Sequence, residues 1–162
     1  MSLGEVTAVI HNLLQEGIPV RDMRTIAETL AGSAGKGQDA DGLTARVRIA
    51  LGPSIYQTVN GTAVELPVMV LDPQLEQLLQ SSMQGGQGTL EPSLVDGMIR
   101  QIVDAAGRME AAGNNPVLLV AGSVRFFLSR LLRGRMQNFY ILAYEEIPPA
   151  KSIRVVATIG AA

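Results

Sequence analysis

The residues that could do chemistry in this 162-residue chain do not group into a catalytic or metal-binding motif. His11 is the single histidine, and a metal site or a Ser-His-acid triad needs partners at defined geometry that the sequence does not indicate. Asp39-Ala40-Asp41-Gly42 begins like a calcium loop, but the twelfth position is Ala50, where the EF-hand pattern requires Glu. We interpret His11 as a surface or interface residue and the two aspartates as helix caps.

Two glycine-rich segments and a pair of glutamates also lack the context that their chemistry requires. Gly35-Lys36-Gly37 does not have the Walker spacing, and Gly85-Gly86-Gln87-Gly88, interpreted as a linker, follows a predicted helix rather than a strand. Glu145-Glu146 are adjacent on a predicted strand, so their side chains point to opposite faces and form no acid–base pair. We therefore expect a protein that is not an enzyme and that has no cofactor or catalytic metal.

The composition is that of a folded protein with no overall attraction to a charged partner. Hydrophobic residues make up 47% of the chain, charged residues make up 17%, and the mean hydropathy is +0.23, which argues against disorder. The net charge of −2 gives no reason to expect nucleic-acid binding. The chain has no cysteine, which excludes disulfides and thiol catalysis. No apolar run approaches the roughly 18–20 residues that a bilayer-spanning helix needs.

The first third of the chain has the spacing of amphipathic helices. One apolar stripe consists of Val6, Val9, Ile10, Leu13 and Leu14. Gly17 and Pro19 predict a turn after the first helix, and Asp22 precedes a second helix. Asp39 or Asp41 precedes a third helix, which ends at Gly52-Pro53. We predict a three-helix subdomain over residues 1–52.

Residues 53–162 have the pattern of an α/β subdomain. Segments 55–59 and 64–70 alternate in hydrophobicity, and Asn60-Gly61 between them predicts a two-residue hairpin. Pro67 predicts a bulge or an edge position in the second of these strands. Further strands are predicted over 117–120, from the apolar run 139–144 to the break at Pro148-Pro149, and over 153–159, with helices from 73, over 92–112 and over 123–134. This order predicts an α+β or α/β fold with a mixed sheet.

The helix predicted around residues 124–135 carries four arginines and no acidic residue, namely Arg125, Arg130, Arg133 and Arg135. At about 100° per residue, Phe126 projects away from the apolar arc of this helix and lies between the arginines. We favour a solvated basic face on a helix packed in the core, with the ring covered by a second core layer as a further possibility. The alternative is that Phe126, Arg130 and Arg133 bind an acidic partner or a neighbouring subunit, since aromatic and Arg residues dominate binding hot spots.

The most specific segment is Val9 to Ala31, VIHNLLQEGIPVRDMRTIAETLA, which predicts two short helices joined by a charged, proline-bearing elbow. Together with PVLLVAGSVRFFLSRLLRGR of 116–135 and IRVVATIG of 153–160, it resembles the export-gate family of flagellar and type III secretion systems. The resemblance spans essentially the whole chain, is weak over 80–92, and favours the flagellar branch over the injectisome branch. It implies a fragment of a larger bacterial inner-membrane protein, consisting of the third (helical) and fourth (α/β) subdomains of the cytoplasmic region.

The resemblance also implies partners. Members of the family form a homo-oligomeric ring and receive export chaperones with their flagellar substrates, and the export ATPase complex and an FlhB-type gate component are further partners. Arg21, Asp22 and Arg24 lie at the elbow, where they either pair across subunits of the ring or lock the elbow to the third helix. An alternative from another class is an unrelated regulatory module that holds a small ligand near Gly122-Ser123, at the C-terminal edge of the sheet.

Overall fold

The structure, a computed structural model, describes residues 1–84 and 90–160 and divides the chain into two compact units. The first unit contains Met1–Thr62 and Glu145–Pro148, and the second contains Ala63–Tyr144 and Pro149–Ala162. None of the helices in the described residues combines the length and the hydrophobicity that crossing a membrane requires. The predicted glycine-rich linker at 85–88 lies outside the described residues.

Four helices build the first unit: α1 (Leu3–Gln15), α2 (Met23–Ser33), α3 (Ala40–Ala50) and α4 (Gly52–Asn60). Both α1 and α2 pack against α3. All four helices and the elbow contribute buried apolar side chains: Val9, Leu13, Ile18, Ile26, Leu30, Leu43, Val47, Leu51, Ile55, Tyr56 and Val59. The predicted apolar stripe of α1 is wider than its buried face, since Leu14 is 56% exposed.

The elbow begins where α1 ends in a Schellman motif. The N–H of Ile18 donates to the carbonyl of Leu13 at 2.9 Å, and the N–H of Gly17 donates to the carbonyl of Leu14 at 3.1 Å. Gly17 has a φ of +71°, a left-handed conformation that glycine adopts without a steric penalty. Ile18 and Leu13 are both buried, so an apolar pair accompanies the motif. The turn that Gly17 predicts is confirmed.

Residues 52–60 form α4, so the strand predicted over 55–59 is wrong. Proline lies in the first turn of this helix, where its missing N–H removes no intrahelical hydrogen bond. Ile55 and Val59 are buried on one face, and their spacing of four fits a helix as well as a strand. The predicted hairpin at Asn60-Gly61 is also wrong, because Gly61, with a φ of +61°, ends the helix. The helical unit therefore extends to Thr62, past the predicted boundary at 52.

Within the described residues, the second unit contains a four-stranded sheet and three helices. The strands are β1 (Glu65–Leu71), β2 (Val117–Val120), β3 (Tyr140–Ala143) and β4 (Ser152–Ile159), and the helices are α5 (Pro73–Gln84), α6 (Pro92–Ala111) and α7 (Gly122–Leu132). The strand order is β3-β2-β1-β4, and the three pairings are all parallel. The predicted mixture of helix and strand is confirmed. The predicted mixed sheet is wrong, because the segment expected to pair antiparallel with β1 is helical.

The two strands at the centre of the sheet, β1 and β2, test the predictions of a fully buried strand and of a bulge or edge position at Pro67. All four residues of β2 are buried, as expected for a parallel strand covered on both faces. Pro67 lies in β1, an interior strand, and the register between β1 and β4 shifts one position later, between Val68 and Met69. The predicted bulge is therefore confirmed and the edge position is not. β2 pairs with β1 at Met69 and Val70, beyond the proline.

A buried ion cluster connects distant parts of the first unit. Arg48 of α3 is 1% exposed; its Nε and Nη2 donate to the two carboxylate oxygens of Glu146 at 2.7 and 3.0 Å, and Nη1 donates to Glu16. Burial by itself lowers the pKa of Arg48, but the two carboxylates outweigh it and the pKa lies above its ordinary value. Glu146 is 98 positions from Arg48 in the sequence, so this bidentate pair holds Glu145–Pro148 in the helical unit.

Replacing Arg48 by Met is expected to lower the free energy of unfolding of the first unit by about 3–5 kcal/mol, because the buried carboxylate of Glu146 and the partly buried carboxylate of Glu16 lose their cation. Urea unfolding followed by circular dichroism measures the change. The control is Arg46→Met on the same helix, which removes an exposed guanidinium and should change stability by no more than about 0.5 kcal/mol. Similar, small changes in both variants would contradict the role assigned to the buried cluster.

Gly52 is required by a close backbone contact rather than by its dihedral angles. A Cβ at this position would lie 2.6 Å from the carbonyl oxygen of Glu146. Gly52→Ala is therefore expected to destabilise the unit by about 1–3 kcal/mol, as overpacking does. At Gly32 a Cβ would meet no atom within 4 Å, so Gly32→Ala should be neutral or stabilising. Thermal unfolding of both variants measures the two effects. Equal melting temperatures would contradict the close contact between Gly52 and the carbonyl of Glu146.

Candidate functional site

The first candidate surface, here called the elbow surface, consists of Arg21, Asp22 and Arg24, which are all exposed. Asp22 is the N-cap of α2: its carboxylate accepts the N–H of Thr25 at 3.1 Å and the hydroxyl of Thr25 at 2.6 Å. The Thr25 hydroxyl, followed by the Thr25 N–H, lowers the pKa of Asp22. The carboxylate therefore satisfies a donor in the first turn of the helix, and Asp22 positions the start of α2.

Arg24 forms an ion pair within α2. Its Nε donates to Glu28 Oε1 at 2.9 Å, and the two side chains are 88% and 65% exposed. An exposed pair of this kind contributes about 0–1 kcal/mol. The partners of Asp22 and Arg24 thus belong to α2 rather than to α3. Their pairing across subunits stays a prediction, together with that of Arg21.

The second candidate surface, here called the α7 surface, consists of Phe126, Arg130 and Arg133. The Cζ atoms of Arg125 and Arg130 lie over the ring of Phe126, 5.2 and 5.0 Å from its centroid, within the range of cation–π interactions. Phe126 is half-buried and Arg130 is exposed. Arg125 is only 2% exposed, which the interpretation as a solvated basic face did not predict.

The core packing of α7 determines what this surface presents. Val124, Leu128 and Leu132 are buried in the core of the second unit. Residues three and four positions apart share a helix face, so Phe126 and Arg130 lie together on another side of α7. Arg133 is the C-cap of α7 and is exposed. The elbow surface and the α7 surface belong to different units of the chain.

Side chains of α5 occupy the N-terminus of α7, where the small-ligand hypothesis places its site. A carboxylate oxygen of Glu76 accepts the N–H of Ala121 at 3.2 Å. Gln80 Nε2 donates to the hydroxyl of Ser123 at 3.0 Å. A helix N-terminus is a natural anion site, and here a carboxylate of the chain already takes that position.

The remaining chemical candidates serve local structure. His11 is exposed and contacts Gln15, one helical turn away, at 2.7 Å. Asp39 accepts the N–H of Gly42 at 2.9 Å, so the predicted cap of α3 is confirmed for Asp39, whereas Asp41 lies within the first turn of the helix. Across residues 1–84 and 90–160, no three His, Asp or Glu side chains are grouped in a way that would hold a metal ion.

Sequence reasoning missed the buried cluster around Arg48. Glu145-Glu146 lie on the 3₁₀ turn Tyr144–Glu146 rather than on the predicted strand, with Glu145 exposed and Glu146 buried. A partial signal exists, since Arg48 follows the buried Val47 on α3 and an arginine inside a core implies a carboxylate partner. Which glutamates provide it depends on contacts far apart in the sequence.

Both surfaces lie on a chain whose sequence matches one family model over residues 1–152. The chain belongs to the FHIPEP family. It is 44% identical over 160 residues to the flagellar biosynthesis protein FlhA of Salmonella typhimurium, an alignment that covers 99% of this chain and 23% of FlhA. The match is to the C-terminal region of FlhA, so the chain spans about a quarter of the length of this relative.

Other relatives are more distant in sequence, and two solved structures share the fold. Identity to the low calcium response locus protein D of Yersinia pestis is 26%, covering 97% of this chain and 23% of that protein. CdsV of Chlamydia pneumoniae, in a complex with CdsO, superposes with a TM-score of 0.86 at 28% identity, over 98% of this chain and 48% of CdsV. The nonameric EscV cytosolic domain superposes with a TM-score of 0.75 at 25% identity, with the same coverages.

These comparisons decide between the hypotheses from the sequence. Membership of the FHIPEP family confirms the predicted resemblance and overturns the hypothesis of an unrelated small-ligand module. The higher identity to FlhA than to the Yersinia pestis protein agrees with the predicted flagellar branch.

The N-cap of α2 is expected to weaken in acid. Because the folded chain lowers the pKa of Asp22, the cap stabilises α2 at neutral pH, and this contribution is lost as the pH falls through the lowered pKa. The amide signal of Thr25 in ¹H–¹⁵N spectra should titrate with this carboxyl. Asp22→Asn should abolish the titration and keep the helix, whereas Asp22→Ala should fray its first turn. A Thr25 signal that does not move in acid would contradict the cap.

Proposed function

We propose that this chain is the ring-forming and docking part of the cytoplasmic region of a bacterial flagellar export gate, and that it acts by contact rather than by catalysis. The observation that carries the proposal is the FHIPEP match, which runs through both units. The nonameric assembly of EscV, a structural neighbour at 25% identity, supports a ring. The parent protein is then an inner-membrane protein with this part on the cytoplasmic side.

The surroundings of the elbow surface support a contact between subunits. A shallow groove of about 560 Å³ runs between α2 and α3, and Glu28, the partner of Arg24, lines it. Ile49, which is 46% exposed, lies in the same groove. An apolar patch beside an exposed ion pair is typical of a subunit interface. The apolar side chains supply affinity, and the charges supply specificity.

We propose that the parent protein docks export chaperones with their flagellar substrates, the export ATPase complex and an FlhB-type gate component. The complex of CdsV with CdsO supports docking of a second protein, since CdsV shares this fold. The chemistry of the described residues is compatible with this role, because both candidate surfaces are charged and exposed in part.

A chimera of Salmonella typhimurium FlhA, with its matched region replaced by this chain, tests the proposed function. The chimera is expected to restore swimming, at least in part, to a strain that lacks FlhA. Purified in detergent, it should form rings that electron microscopy can count. A chimera that accumulates in the inner membrane but neither forms rings nor exports flagellar proteins would contradict the proposal.

Charge reversal at the elbow tests the subunit contact. Arg21→Glu and Arg24→Glu are expected to abolish motility of the chimera, while the melting temperature of the isolated chain changes by no more than about 2–4 °C, because exposed charges contribute little to folding. Arg100→Glu on α6, also at an exposed position, is the matched control and should keep motility. Equal loss in the control, or unfolding of the elbow variants, would remove the elbow surface from the ring contact.

A further inference from the structure

The positive charge of the chain is concentrated around α7. Residues 122–143 contain four arginines and no acidic residue, whereas the whole chain has 13 basic and 15 acidic side chains. Without those arginines the chain has 9 basic and 15 acidic residues, so a segment of charge +4 belongs to a chain that is otherwise −6. Such a local excess attracts anionic groups at short range, although the whole chain is acidic.

The ring of Phe126 restricts the arginines beside it. An arginine loses rotamer freedom when it binds a carboxylate, and this loss opposes binding. In the free chain, the guanidinium of Arg130 already lies over the ring at 5.0 Å. This contact restricts the position of an exposed cation before any carboxylate binds.

The packing of α7 argues against two other anionic partners. The apolar residues Val124, Leu128 and Leu132 are buried in the core, so they do not form the apolar face with which a surface helix enters a bilayer. The ring of Phe126 has two cations over it, so it is a poor stacking platform for a base. A polypeptide segment with carboxylates needs neither feature.

A second copy of this chain offers no contiguous acidic segment to this surface. Its sequence has no acidic run, and the single pair of adjacent acidic residues is Glu145-Glu146. Glu146 is buried against Arg48. Other carboxylates, such as those of Asp22 and Glu76, cap helices of their own chain.

From these observations we propose that the α7 surface binds an acidic segment of a different polypeptide. Arg130 and Arg133 receive its carboxylates, and Phe126 acts as a positioning residue that orders Arg130. The proposal rests on the proposed function, in which this chain docks other proteins, and it names the chemistry of one docking partner.

Fluorescence anisotropy with a labelled peptide rich in Glu and Leu measures the binding. The same peptide with Gln at every Glu position should bind at least about tenfold more weakly. Arg130→Gln, Arg133→Gln and Phe126→Leu should each weaken binding of the acidic peptide about three- to tenfold. Phe126→Tyr, which keeps the ring, and the exposed control Arg100→Gln should bind as the unmodified chain does.

A double-mutant cycle tests the positioning role. If Phe126 acts through Arg130, adding Phe126→Leu to Arg130→Gln should weaken binding by less than about twofold further. Fully additive losses would overturn the ordering role of the ring. Circular dichroism and thermal unfolding identify any variant that misfolds, and Arg133→Gln, at the exposed end of α7, keeps the assignment testable in that case.

Other results would overturn the proposal. They are equal binding of the Glu and Gln peptides, preferential binding to phosphatidylserine vesicles or to oligothymidylate, and self-association of the chain that Arg130→Gln abolishes. The FlhA chimera separates this proposal from the proposed function. A motile chimera whose isolated segment binds no acidic peptide would refute the α7 assignment alone. An immotile, ringless chimera with intact peptide binding would refute the proposed function alone.

Discussion

The guanidinium of Arg48 stays charged inside the core because two carboxylates take its hydrogen bonds. Glu146 accepts two of them and Glu16 accepts another. Removing these groups from water costs more than a single ion pair returns, so the cluster is stable only when all of its partners are in place. This constraint determines where Glu146 lies, and with it the close approach of its carbonyl to Gly52. The first unit thus includes a segment that the sequence places far from its helices.

Charges at the surface of the same fold have a different consequence. The pair of Arg24 and Glu28 is largely exposed to solvent, and such pairs contribute little to folding. Their positions are therefore open to selection for contacts with other chains. The α7 surface is intermediate between the buried Arg48 cluster and the exposed Arg24–Glu28 pair. Its ring, Phe126, is half-buried and orders Arg130, which is exposed. We propose that this family acts by docking. Its buried charges then specify the fold, and its exposed charges specify the partners.

Local signals in the sequence predicted the elements whose ends and faces are set by nearby residues. Asp22 predicted the start of α2, and Asp39 or Asp41 predicted the start of α3, because an N-cap acts on the next few N–H groups. The apolar run of β2 predicted a buried strand for the same local reason. The prediction failed over 55–59 because the apolar spacing there fits both periods. Asn60-Gly61 did not decide between them, since a hairpin and a helix end both use a glycine with positive φ.

By itself, the sequence determined that the chain has a helical part and an α/β part, that it resembles export-gate proteins, and that Phe126 lies among arginines. Each of these follows from periodicity or from a contiguous motif. Only the tertiary structure decided that the sheet is parallel, that Arg125 is buried, and that Arg48 meets Glu146. The physical reason is that these outcomes depend on which elements pack together. The pairing of Arg48 with Glu146, 98 positions away, is set by the summed burial of many side chains and by the need to satisfy one buried charge. Neither of these is encoded within a short window of sequence.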